Sequence, residues 1–264
     1  MSDEEKEIVA DREAVLSWDI GIKNLSYCIL ERNGDGRFED QTRTKHGFYI
    51  RDWDIINLYE DEVLPVRYCE EKTKKGKVCH KKAKYHVGNR EFFCKTHKPD
   101  HAVLIKKPKK KKKTPFDHAK RMKEALDARP ELLNVNYVIL ENQPSQMNPM
   151  MKTVQMLLFS YFSYAFGTDR APTLIHIGNV NARQKEKLPT VDTDWPGSSY
   201  EQVVNDRYNR VKDRYRRRKI LCLEYAKMCL EDAPEYLSFL ENHNKQDDLT
   251  DCFLQATDWF LRNK

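Results

Sequence analysis

The chain has 264 residues, 39% hydrophobic and 33% charged, with a net charge of +6. That is enough for one large domain, or a core with a small module, and too apolar for a disordered polymer. No apolar run reaches the roughly 20 residues of a membrane span, and the acidic start MSDEEKEIVADRE resembles neither a secretory signal nor an Arg-rich mitochondrial presequence. Lys and Arg gather in 72–84, 106–113 and 207–219, which points to a polyanionic partner. Seven cysteines, an odd number, with no export signal, imply an intracellular, reducing compartment where thiols bind metal or fill cores.

Residues 1–13 read as a solvated acidic tail. The first apolar run, AVLSWDIGIKNLSYCIL, reads as a strand over 14–20, a GIKN turn and a second strand over 25–31. Asp19 sits inside the first strand, where a charge is costly unless paired, hydrated or metal-bound. Gly21 leaves room for a close approach beside it. NGDG at 33–36 is a turn signal, and 46–53 forms a third strand.

Residues 65–100 change character. Cys69, Cys79, Cys94 and His97 are spaced C-x9-C-x14-C-x2-H, and four N/S ligands suit a closed tetrahedral Zn²⁺ site. His80 and His86 are competing ligands. A segment this polar needs a metal to fold, and four protein ligands make the zinc structural. Between 106 and 113 seven of eight residues are lysine, with Lys110 among them. This block is a flexible linker, a grip on phosphates or a nuclear-localisation signal.

A helix follows over 115–128. VNYVILENQPSQMNP (135–149) is a strand that ends at Glu141, and strand ends next to a loop are frequent active-site positions in α/β sheets. A helix over 148–166 is apolar nearly all round and so expected to be buried. TLIHIGN (173–179) is another strand, in which His176 is a half-buried residue rather than a ligand. Residues 185–200 read as a loop. A long helix over 201–231 carries an apolar stripe including Val211 and Tyr215, and a basic face including Arg207, Arg210, Arg214 and Arg217, a nucleic-acid surface. The last helix, 244–264, opens with Asp247 as N-cap. Asp248 and Asp251, three apart, share one face.

Asp19, Glu141, Asp248 and Asp251 thus form a candidate set. Clustered carboxylates repel unless cations intervene, and oxygen ligands suit Mg²⁺ or Mn²⁺. Paired ions of this kind can clamp the attacking and leaving oxygens of a phosphodiester, so the reaction class is metal-assisted phosphodiester hydrolysis.

The ordered motifs D-x-G-x-K-N from Asp19, Glu141-Asn-Gln-Pro and Lys245-Gln-Asp-Asp-Leu-Thr-Asp251 resemble those of RuvC-like Holliday-junction resolvases, closest to the branch of poxviruses and other large DNA viruses. The resemblance covers 14–54 and 115–264. It implies an α/β, RNase H-like mixed sheet flanked by helices, carrying here a small zinc-binding insertion. It also implies a homodimer acting on branched DNA, and two Mg²⁺ ions on Asp19, Glu141, Asp248 and Asp251, with Lys23 and Lys245 as basic positions nearby. Asp247 competes with Asp248, which is preferred because D-x-x-D puts both side chains on one helix face. The implied activity is paired nicking of four-way junctions to leave 5′-phosphates, at a viral replication site in host cytoplasm or nucleus. An RNase H-fold nuclease on hybrids or flaps, and a non-catalytic zinc and nucleic-acid-binding factor, are the alternatives. The domain reading is 14–64 with 114–264 as the resolvase domain, 65–100 as the zinc insertion and 101–113 as a Lys-rich linker.

Overall fold

The structure, a computed structural model, describes residues 12–33, 42–59, 67–88, 91–105, 113–146, 148–188 and 206–263. Residues 1–11 of the expected 1–13 tail, the turn at 34–36, the lysine block with Lys110, and the loop beyond 188 lie outside the described residues; Arg12 and Glu13 are not tail but the start of the first strand, paired with Asn33 and Arg32. The chain divides into two compact units, residues 1–59 with 114–264 and residues 60–113. Among the described residues no helix is long and apolar enough to cross a membrane.

Unit 1 begins with an antiparallel meander of β1 (Arg12–Ile20), β2 (Asn24–Asn33) and β3 (Tyr49–Asn57). The third strand starts later than its sequence pattern predicts. Gly47, at φ 79°, donates its N–H to Thr44 O at 2.7 Å, and this turn delays the strand to Tyr49. Gly21 also has a different reason from the one expected. Its N–H donates to Asn24 O at 3.0 Å, and a Cβ there would lie 2.6 Å from that same oxygen. The tight turn demands glycine, whatever approaches from outside.

Unit 2 contributes β4 (Tyr85–Val87), β5 (Glu91–Phe93) and β6 (Val103–Leu104), an antiparallel sheet in the order β5-β4-β6. Before it runs a hairpin over 67–83. Its rungs are Cys69 N–H to Lys81 O, Cys79 N–H to Glu71 O and Thr73 N–H to Lys77 O, each 2.8 Å. Gly76, at φ 77°, closes the tip.

Unit 1 resumes with α1 (Pro115–Asp127), capped by a reciprocal Thr114–Asp117 box that satisfies two N–H groups at the helix start. A 3₁₀ turn, Pro130–Leu133, leads to β7 (Tyr137–Glu141) and α2 (Pro149–Ala165). The second of these is not wholly buried: Met156 and Tyr164 are 47% and 85% exposed, because only its Val154–Leu158–Phe162–Ala165 face meets the sheet. Next come β8 (His176–Val180), a single turn α3 (Ala182–Lys185), α4 (Arg214–Cys229), α5 (Pro234–Asn242) and α6 (Gln246–Arg262).

The long helix expected over 201–231 is interrupted. Residues 206–210 are helical, 211–213 are not, and Asp213 starts α4 by accepting from Arg216 N–H at 2.8 Å. Asp and Asn favour such caps over helix interiors because the side chain competes for backbone N–H groups. Val211 therefore leaves the helix, and Tyr215 is 59% exposed rather than part of a buried stripe. At α6 the cap position is Lys245 without a side-chain cap, so Asp247 is not the N-cap. His176 is exposed, its ring stacked on Trp259 at 5.7 Å.

The five strands order as β3-β2-β1-β7-β8, with β1, β7 and β8 mutually parallel. This is the mixed sheet flanked by helices that the motifs imply. Alternation along β1 splits the core in two. Leu16, Trp18 and Ile20 pack with α1 and α2 on one face. Val15 lies with α4, α5 and α6 on the other, the face shared by Ser17 and Asp19.

Candidate active site and metal centres

Parallel pairing sets Trp18 beside Leu140. The next residues, Asp19 and Glu141, therefore emerge from neighbouring strand ends on one face. Helix α6 covers that face. Buried Gln255 donates to Ser17 Oγ at 2.9 Å and to Trp18 O at 3.3 Å, which fixes the helix against β1. One turn earlier along the helix, Asp251 reaches the same point. Carboxylate oxygens of Asp19, Glu141 and Asp251 lie within 4.8 Å of one another.

Lys185 is placed by the sequence pattern at the start of a loop. It ends α3, just past β8, and its side chain is only 5% exposed. Its Nζ lies 2.8 Å from Glu141 Oε2 and 3.3 Å from Asp251 Oδ2. Burial would lower this ammonium, but Asp251, Glu141 and Asp19 outweigh that and hold it above its ordinary value. Burial raises the Asp19 carboxyl well above its usual range against the pull of Lys185, with Asp251 and Glu141 adding to the rise. Asp251 is raised too, again by burial first and opposed by Lys185. Three carboxylates that approach within 4.8 Å of one another could together hold a divalent cation, and oxygen ligands suit hard ions.

Asp248 stands one turn before Asp251 but is not part of that cluster. It faces Lys245 Nζ at 3.7 Å, and its carboxyl is raised by burial and by Asp247. Asp247 is held by Lys219 Nζ at 2.6 Å.

Behind Glu141 a second shell of amides orders the loop. Gln155 Oε1 accepts from Gln143 N–H and Lys152 Nζ, both at 3.0 Å, while its amide donates to Asn179. A lysine in the turn just past β8 is the signal that could have identified Lys185, since β8 ends beside Glu141. Nothing local marks Gln155 or Gln255.

The basic candidates are dispersed. Lys23 lies in the β1–β2 turn, where its carbonyl accepts from Leu58 N–H at 2.8 Å. Arg207 pairs with Glu224 at 2.7 Å. Arg217 sits 5.2 Å over the Tyr208 ring and donates to Val211 O. Arg210 and Arg214 are exposed.

Unit 2 holds the other cluster. Donor atoms of Cys69, Cys79, Cys94 and His97 lie within 4.8 Å of one another. Cys69 Sγ is 3.5 Å from His97 Nδ1, and Cys79 Sγ is 3.9 Å from Cys94 Sγ. A tetrahedron with zinc–sulfur bonds of about 2.3 Å and zinc–nitrogen bonds of about 2.0 Å has edges of about 3.5–3.8 Å, so the donors fit that ion. Burial would raise the Cys94 thiol, yet backbone N–H groups of His97 and Thr96 and the neighbouring thiols bring it down to about 7. Neither competing histidine joins: His86 Nδ1 is 2.6 Å from Gly88 O, and His80 is exposed at φ 49°.

A sequence model of the family described as mitochondrial resolvase Ydc2 / RNA splicing MRS1 matches residues 15–157, a span that includes Asp19 and Glu141. An uncharacterized protein of Acanthamoeba polyphaga mimivirus, L451, is 25% identical over 316 residues, covering 92% of this chain and 73% of that one. The crystal structure of the yeast mitochondrial Holliday junction resolvase Ydc2 aligns with a TM-score of 0.46 and 15% identity, over 98% of this chain and 85% of that one.

Proposed function

The chain belongs to the family of the mitochondrial resolvase Ydc2 and the RNA-splicing protein MRS1, and from that premise we propose that it is a divalent-metal-dependent endonuclease that resolves four-way DNA junctions. The observation that carries this is the meeting of Asp19, Glu141 and Asp251, drawn from three elements more than a hundred residues apart in sequence. A protein that only bound nucleic acid would gain nothing from a half-buried, repelling carboxylate cluster.

When bound, Mg²⁺ or Mn²⁺ supplies activation of a water molecule and stabilisation of the leaving 3′-oxygen, which leaves a 5′-phosphate. Asp19, Glu141 and Asp251 would hold the ion. Asp248, one turn earlier on the same helix, would be a further oxygen ligand, and Lys245 beside it would offer a cation to the phosphate. Lys185 fixes the Glu141 and Asp251 carboxylates and balances their charge before DNA arrives. Arg207, Arg210, Arg214, Arg217 and Lys23 follow the backbone beyond the site. Zn²⁺ takes the Cys69–Cys79–Cys94–His97 cluster and serves folding. Resolution needs two opposed nicks, so the working form is a homodimer. The Cys/His cluster supports a reducing compartment, and the likeness to a mimivirus protein supports a viral origin and a viral replication site in the host.

The test is cleavage of synthetic four-way junctions, RNA–DNA hybrids and flaps with and without Mg²⁺. Paired symmetric nicks in the junction, abolished by Asp19→Asn while junction binding persists, are the expected result. Preference for hybrids or flaps, or cleavage retained by pure Asp19→Asn protein, would overturn the assignment.

A further inference from the structure

Charge is divided unevenly between the two units. Residues 60–113 carry 18 Lys and Arg against 7 Asp and Glu, a net +11, whereas the chain as a whole is +6. That leaves unit 1 with 29 basic residues against 34 acidic ones, a net −5. A nuclease body of net negative charge is repelled at long range by a polyanion. Double-stranded DNA presents one phosphate charge per about 1.7 Å of axis, so affinity without base readout scales with the cations brought to it.

The described part of unit 2, 67–88, 91–105 and 113, holds eleven Lys and Arg against four Asp and Glu. Its hairpin concentrates them. Cys69 and Cys79 pin the base of the hairpin to the metal cluster. The Thr73 N–H to Lys77 O and Gly76 N–H to Thr73 O bonds, each 2.8 Å, close the tip. Around that tip Lys72, Lys74, Lys75 and Lys77 are all exposed. Among the described residues none of the four makes an ion pair. Glu70 and Glu71, the acids on the hairpin, sit towards the end that carries Cys69 and Cys79. A short arm fixed at one end and bearing unneutralised ammonium groups at the other is shaped to lie along a phosphate backbone.

We propose that the unit 2 hairpin is a phosphate-backbone arm supplying much of this protein's affinity for duplex DNA. The choice of DNA over RNA rests on the junction-nuclease reading; the charge partition does not.

The experiment measures binding of the full chain to a four-way junction and to plain duplex, with Mg²⁺ omitted, from 50 to 200 mM salt. The triple variant Lys74→Gln, Lys75→Gln, Lys77→Gln should lower the slope of log affinity against log salt by about one per lysine, on both DNAs and with zinc content unchanged. A matched triple on unit 1, Lys120→Gln, Lys123→Gln and Lys227→Gln, removes the same charge and should leave the slope within about half a unit. Should the first triple lose zinc, Lys72→Gln with Lys82→Gln gives the same reading. An unchanged slope in the hairpin variants, an equal fall in both triples, or a fall confined to single-stranded RNA would overturn the proposal. If the wild-type chain bound duplex through the hairpin but cut no junction, the nuclease reading alone would fail.

Discussion

The buried ammonium of Lys185 lies 2.8 Å from the Glu141 carboxylate, so a residue from the helical turn after β8 neutralises one from the end of β7. Replacing it by methionine leaves the acidic cluster without this partner. Breaking a buried pair costs about 3–5 kcal/mol, and Lys185→Met should lower the metal-free melting temperature by roughly 5–15 °C. Because the folded-state value is raised, this stabilisation is complete below the unfolded lysine value of about 10.4 and fades only as pH climbs beyond it. The deficit should shrink when Mg²⁺ is added, because a bound cation replaces the missing ammonium. Melting scans with and without Mg²⁺ decide this, and an equal loss in both conditions would speak against a shared cation site.

Gln155 is fully buried and is the amide that fixes the loop after Glu141. Gln155→Leu would leave the Gln143 N–H, 3.0 Å away, without its acceptor. An orphaned buried donor costs about 1–3 kcal/mol. The expected signature is a drop in melting temperature together with a larger loss in cleavage rate than in junction affinity, measured by single-turnover kinetics and equilibrium binding.

Asp127 joins the end of α1 to α2. It accepts from Lys123, from Tyr161 Oη at 2.9 Å and from Arg170 at 3.0 Å. The Lys123 and Tyr161 hydrogen bonds, with Arg170 helping, bring its carboxyl down to about 2. A depressed carboxylate contributes stability above its unfolded value of about 3.9, lost as pH falls towards 2. Its side chain is 34% exposed, and solvent screening keeps the contribution to about 1 kcal/mol or less. Asp127→Asn should therefore cost little at pH 7 and flatten the acid limb of unfolding between about pH 4 and 2. Chemical denaturation at pH 7, 4 and 2.5 measures it; a difference that grew on acidification would contradict the assignment.

The cysteine cluster predicts metal content directly. Wild-type protein should carry about one zinc per chain. Cys94→Ser should carry close to none, since removing a ligand from a closed four-donor site leaves unit 2 without the ion that folds it. His80→Ala and His86→Ala should keep theirs. Elemental analysis of purified protein gives the answer, and zinc loss in either histidine variant would reassign the fourth ligand.

Much of the fold was legible because its signals are local. The apolar run around Trp18, the strand ending at Glu141 and the amphipathic last helix each declare themselves by periodicity and turn residues. The spacing of Cys69, Cys79, Cys94 and His97 did the same for the cluster of four donor atoms. Other errors came from local rules that tertiary contacts overrode. Asp247 looks like an N-cap, yet an ion pair with Lys219 from another helix takes it. Tyr215 falls on an apolar period, yet the helix begins only after Asp213 and turns that ring to solvent.

The sequence by itself determined which residue types were available for chemistry: carboxylates at strand ends, thiols at ligand spacing, lysines in blocks. Only the tertiary structure decided which of them meet. Parallel pairing of β1 with β7 sets Asp19 beside Glu141, and the Gln255 contacts to β1 bring Asp251 to them while Asp248 stays with Lys245. Convergence depends on register and helix docking. These are long-range terms fixed by burial of the whole core, and no short stretch of sequence encodes them.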